Sequence, residues 1–86
     1  MENSEVQRLV ADALPDAEVS VSGDGSHFVV TVVSPEFEGQ SPVVRQKRVY
    51  ATLNEQITSG ALHAVTIKAY TPAQWAQAEK FQVGSA

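Results

Sequence analysis

The sequence predicts an α+β domain built on a three-stranded mixed sheet, with helices packed on one face. Three observations predict it. An alternating stretch and a β-branched apolar run, separated by Gly23-Asp24-Gly25-Ser26, read as an antiparallel hairpin. A helical stretch then separates that hairpin from a third strand-like run, and such a crossover lets the third strand lie beside and parallel to the second. The 86 residues, 43% apolar and 19% charged, make one ordinary globular domain spanning 1–86.

The elements follow in order. Ser4 with Gln7 forms a capping-box pattern. Val6, Leu9, Val10, Ala13 and Leu14 recur at helical spacing until Pro15-Asp16 stops the helix. Ala17, Val19 and Val21 alternate with Glu18, Ser20 and Ser22, the pattern of a half-buried strand. Phe28 to Val33 is a nearly continuous apolar run, which reads as a strand covered on both faces. Ser34-Pro35 ends it, and Phe37-Glu38-Gly39 is a loop or short turn. Ser41 as cap and Pro42 at the first position start a long helix. Val43, Val49, Tyr50, Leu53 and Ile57 fall on its apolar arc, and Arg45, Arg48, Thr52, Glu55 and Ser59 on the opposite one. Gln46 interrupts the apolar arc, so the first turn reads as offset or broken from the rest. Gly60 stops the helix. Ala64 to Tyr70 is the third strand, with Val65, Ile67 and Ala69 on one face. Thr71-Pro72-Ala73-Gln74 starts a last helix. Trp75 and Ala78 pack it down, Phe81 lies near its end, and Val83 to Ala86 frays.

Composition excludes several functions. With no cysteine there is no disulfide, no thiolate nucleophile and no self-contained cysteine metal site. No apolar run approaches the roughly 18 residues of a membrane span. The start, Met1-Glu2-Asn3-Ser4-Glu5, is polar and acidic and unlike a secretory signal, so a cytoplasmic location is expected. The net charge of -4 argues against coating nucleic acid by bulk electrostatics. The basic residues are nevertheless clustered, with Arg45, Lys47 and Arg48 on one helix and Lys68 as a spatial neighbour.

No catalytic grouping stands out. Ser26-His27 lacks an orienting acid, and Asp24 reads as a turn former. Glu36 and Glu38 read as solvating charges. Gly23-x-Gly25 lacks the rest of any phosphate-loop fingerprint. The two histidines remain. The plain reading of His63, at the start of the third strand, is a core or strand-edge residue bonded to backbone. Its functional reading is a metal ligand or proton acceptor at a groove mouth. His27 is either an idle loop residue or a ligand drawn into place by a glycine-rich loop. Two histidines are too few for a closed zinc site but suit one whose thiolates come from a partner.

The element order resembles the type II K-homology topology. The chain lacks the Gly-x-x-Gly loop by which such domains clamp nucleic acid. More specifically, Gly23-Asp24-Gly25-Ser26-His27-Phe28, Phe37-x-Gly39-x-Ser41, Val49-Tyr50-x-x-Leu53, His63-Ala64-Val65-x-Ile67 and Tyr70-Thr71-Pro72-x-x-Trp75 occur in an order and spacing that resembles the BolA-like proteins, above all their acid-stress-linked proteobacterial branch. The resemblance runs from Glu2 to Phe81.

It implies a non-enzymatic protein that forms a heterodimer with a monothiol glutaredoxin and shares a [2Fe-2S] cluster with it, for transfer, maturation or stress sensing. The glutaredoxin and glutathione would each supply a thiolate, His63 would be the signature ligand and His27 the hairpin-loop ligand. The isolated chain would carry no cofactor. Imidazole ligands must be neutral to bind, so acid would weaken such sharing. Many relatives carry an Arg-His-Arg run where this chain has Arg45-Gln46-Lys47-Arg48, so no role of that middle histidine carries over. The alternative implied by the resemblance is a DNA-binding stress-responsive regulator using Arg45, Lys47, Arg48 and Lys68, with weak DNA binding. A homodimer is the other assembly left open.

Overall fold

In the computed structural model, which describes residues 1–24 and 27–85, eight elements follow one another. They are α1 (Asn3–Ala13), β1 (Glu18–Gly23), β2 (His27–Val33), a 3-10 turn (Pro35–Phe37), α2 (Pro42–Thr52), α3 (Asn54–Thr58), β3 (Ala64–Tyr70) and α4 (Pro72–Ser85). The sheet order is β1-β2-β3. β2 is central, antiparallel to β1 and parallel to β3, as the hairpin and the helical crossover require. Gly25, Ser26, Ala86 and the side chain of Phe81 lie outside the described residues, and with them the expected mobility of the hairpin loop and the packing of Phe81.

Strand alternation puts Phe28, Val30 and Val32 of β2 on the inner face, each essentially buried. Val6, Val10 and Leu14 of α1, Val49 of α2, Leu53, Leu62, Ile67 of β3 and Phe37 close over them as one core. The opposite face of β2 is not covered as fully as its continuous apolar run suggests. Val29 and Thr31 are only half-buried there. β-branched residues suit a pleated surface whether or not a second layer covers it, so such a run overstates burial.

Three helix boundaries differ from the sequence pattern. α1 starts earlier: Glu2 caps it, and the backbone N–H of Glu2 donates to the Glu5 carboxylate at 2.9 Å. Gln7 is thereby released from the expected capping box, and its Nε2 donates to the Val19 carbonyl at 2.8 Å. The long helix is two helices meeting at Leu53, a break near its end and not an offset or broken first turn. α4 continues to Ser85, into the stretch expected to fray, whose last residue, Ala86, lies outside the described residues.

The phase of α2 also differs. Ser41 caps it, its Oγ accepting from the Val44 N–H at 3.3 Å, and Pro42 takes the first turn as expected. The inward arc, however, runs Arg45–Val49–Leu53, one residue every helical turn. Val43 is 63% exposed and Tyr50 38%, so neither belongs to the core. Arg45 sits inward because backbone carbonyls wait for it there, as described below.

At the far end of α3, Gly60 adopts φ +85°, a left-handed conformation that ordinary side chains resist. Its N–H donates to the Ile57 carbonyl at 3.2 Å and the Leu62 N–H to the Gln56 carbonyl at 3.0 Å. This stop delivers Leu62, 1% exposed, into the core immediately before β3. At the start of α4, Thr71 and Gln74 exchange hydrogen bonds, side chain to backbone, at 3.0 and 3.2 Å. Trp75 then rests on Tyr70, ring centroids 5.3 Å apart.

The corrected phase of α2 sets an expectation. Val49→Ala lowers unfolding stability by about 2 kcal/mol, from lost burial plus the cavity left behind. Val43→Ala, on the exposed side, changes it by less than about 0.5 kcal/mol. Urea unfolding of the two variants measures the difference, and equal losses would refute this placement.

Candidate metal-ligand site

The parallel pairing of β2 with β3 decides where the two histidines lie. Its register sets His27 opposite Ala64. His63 is the residue before Ala64, so the two histidines come to the same end of adjacent strands.

His27 opens β2 and is exposed. Its backbone N–H donates to the Asp24 carboxylate at 3.1 Å, the turn-forming contact expected of Asp24. Its ring Nε2 lies 2.9 Å from the Thr66 hydroxyl on β3. The ring is therefore docked along the neighbouring strand.

His63 is exposed as well, and it precedes β3 instead of forming its first residue. Strand periodicity consequently does not turn it inward, and it is not a core histidine. It is held between the buried Leu62 and the first strand residue, with its Cε1 next to Gly60: a Cβ built there would be 3.8 Å away. Among the described residues its imidazole has no hydrogen-bond partner, which leaves a lone pair available.

Among the described residues, no group of three or more His, Cys, Asp or Glu side chains is assembled that could hold a metal ion. Two accessible imidazoles at one end of a sheet are an incomplete donor set. They fit a metal group only if other ligands, thiolates above all, arrive from outside the chain.

The four basic residues do not make one exposed surface. Arg45 is 9% exposed. Its Nε donates to the Gln40 carbonyl at 3.0 Å, and its Nη1 to the Ala69 carbonyl at 3.3 Å and the Gln74 side-chain oxygen at 2.7 Å. The guanidinium also lies 5.9 Å from the centre of the Phe37 ring. Arg45 thus ties the turn before α2 to β3 and α4, and the polar helix face assigned to it from the sequence is incorrect. Arg48 pairs with Glu36 at 2.9 Å, in the partly exposed setting where such pairs contribute little. Lys47 is exposed on α2, and Lys68 is exposed on β3 in register with Thr31.

Sequence reading misassigned Arg45 and missed Thr66. Arg45 was discoverable as the position one turn before Val49. Thr66 was discoverable only through the strand register, two residues along from the partner of His27.

The chain matches the family described as BolA-like protein over residues 6–74. It is 52% identical over 80 residues to the acid stress protein IbaG of Escherichia coli strain K12, covering 93% of this chain and 95% of that protein. Its structure resembles that of a BolA protein homologue from Coxiella burnetii with a TM-score of 0.79 and 33% identity, over 87% of this chain and 96% of that one. It also resembles BolA1 from Arabidopsis thaliana, with a TM-score of 0.71 and 32% identity over 85% and 96% of the two chains. The chain belongs to the BolA-like family. No helix among the described residues is long and apolar enough to cross a membrane.

The cradle of Arg45 carries its own expectation. Arg45→Ala leaves the Gln40 and Ala69 carbonyls without their donor and costs roughly 2 kcal/mol of stability. Lys47→Ala stays within about 0.5 kcal/mol. Thermal or urea unfolding distinguishes them, and a neutral Arg45→Ala would show that the arginine is not structural.

Proposed function

We propose that this BolA-like chain is a non-enzymatic partner protein that co-ligates a [2Fe-2S] cluster with a monothiol glutaredoxin, using His63 and His27. The cluster is cargo or signal, for transfer, maturation or stress sensing. The observation that carries this reading is the register of β2 on β3, which gathers the only two histidines of a cysteine-free chain at one accessible end of the sheet. The missing donors would be thiolates from the glutaredoxin and from glutathione. Imidazole in place of thiolate, as at Rieske-type centres, raises the reduction potential of such a cluster.

The chain's own contribution is positional. Leu62, buried in the core, and the start of β3 fix where His63 stands. Asp24 and Thr66 fix His27 from two directions. DNA-binding regulation is less well supported, because Arg45 is used inside the fold and Arg48 is paired with Glu36. What remains, Lys47 and Lys68, would neutralise few phosphates, so duplex DNA binding should be weak and its salt dependence shallow.

The test is to mix the chain with [2Fe-2S]-loaded monothiol glutaredoxin and glutathione, and to record visible circular dichroism and the size of the complex. The wild-type chain is expected to give a heterodimer with a new spectrum. His63→Ala abolishes that spectrum. His27→Ala weakens and alters it, and both variants melt like wild type because both side chains are exposed. A wild-type spectrum from His63→Ala, or a variant that simply unfolds, would remove His63 as a ligand. Sub-micromolar, sequence-dependent DNA binding would favour the regulator instead.

A further inference from the structure

We propose that Thr66 is a positioning residue for His27: its hydroxyl accepts from the Nε2–H of the ring, so that Nδ1 presents the lone pair to metal. This rests on His27 being a cluster ligand. The two residues are 39 apart in sequence and meet across β2 and β3, with Nε2 2.9 Å from Oγ1. The register sets His27 opposite Ala64 and Val29 opposite Thr66. His27 and Thr66 are therefore diagonal neighbours on the outer face of the sheet, a separation that an imidazole can span.

A neutral imidazole carries one N–H and one lone pair, and the partner of one nitrogen decides which nitrogen is left for metal. A threonine hydroxyl can donate or accept. In the ligated ring, however, the nitrogen away from the metal must be the protonated one, and here Thr66 waits at Nε2. Iron could reach Nε2 only after that bond broke, whereas Nδ1 is offered with the bond intact. An acceptor of this kind fixes ring orientation and raises the basicity of the ligating nitrogen. The Asp24 contact to the backbone N–H of His27 holds the same residue from the loop side, at 3.1 Å. Backbone and ring are tied to different elements, which leaves the ring little freedom to turn.

Thr66 is exposed, so it can be changed without opening the core. Thr66→Val keeps the β-branched shape favoured in a strand and removes the acceptor, while Thr66→Ser restores a hydroxyl. Nitrogen-15 NMR of the isolated chain, at a pH where the ring is neutral, is expected to show a slowly exchanging N–H resonance on Nε2 of His27 in wild type and Thr66→Ser. The resonance is absent in Thr66→Val. In the complex with [2Fe-2S]-loaded glutaredoxin, Thr66→Val loses its visible circular dichroism about tenfold faster on challenge with a chelator, and Thr66→Ser behaves as wild type. The double variant His27→Ala with Thr66→Val matches His27→Ala alone, since Thr66 acts only through His27.

A wild-type ring protonated on Nδ1, or a Thr66→Val complex as durable as wild type, overturns the proposal. A wild-type pair that shares no cluster overturns the ligand reading and this role of Thr66 with it. The Nε2–H resonance would still report the hydrogen bond, so the two failures are told apart.

Discussion

The parallel pairing of β2 with β3 is the constraint on which the rest of the molecule depends. It requires a crossover long enough to return to the same end of the sheet, and α2, α3 and the Gly60 stop supply it. It gives β2 neighbours on both edges, so Phe28, Val30 and Val32 become the floor onto which α1 and α2 close. It also sets His27 beside the residue that follows His63. A one-residue slip would break both relations together, because side chains alternate between faces.

A second constraint is electrostatic. α2 carries an inward-facing arginine where an apolar residue would ordinarily sit. Burying a guanidinium is tolerable only when its donors are answered, and Gln40, Ala69 and Gln74 answer Nε and Nη1. These partners come from the turn before α2, from β3 and from α4. One side chain thus joins three segments of the fold. The same arrangement removes Arg45 from any charged recognition surface and divides what looks in one dimension like a basic run.

Much of this was legible in the sequence. The hairpin, the crossover, both proline-initiated helices and the inward face of β3 follow from local rules of periodicity and capping that operate over a few residues. The cap of α1 was misplaced because Ser4-Gln7 and Glu2-Glu5 offer competing patterns, and only the tertiary bond of Gln7 to Val19 separates them. The phase of α2 was misread because Val43 and Tyr50 look like core residues and Arg45 does not. Hydrophobicity alone cannot see the carbonyls that draw Arg45 inward. His63 and His27 could be identified as candidates from residue type and resemblance, but their proximity and the contact of His27 with Thr66 exist only in the register.

The hydrogen bond between His27 and Thr66 joins residues 39 positions apart, and this long span has a kinetic consequence. Contacts of large sequence separation incur their loop-closure entropy before they are rewarded, so they consolidate late in folding. The histidine end of the sheet therefore comes into being only after the crossover has been threaded and β3 has docked. A nascent or partly unfolded chain holds two unrelated imidazoles separated by a long flexible segment. The proximity of the two imidazoles is in this way tied to completion of the fold, and the chain does not hold them together before it is finished.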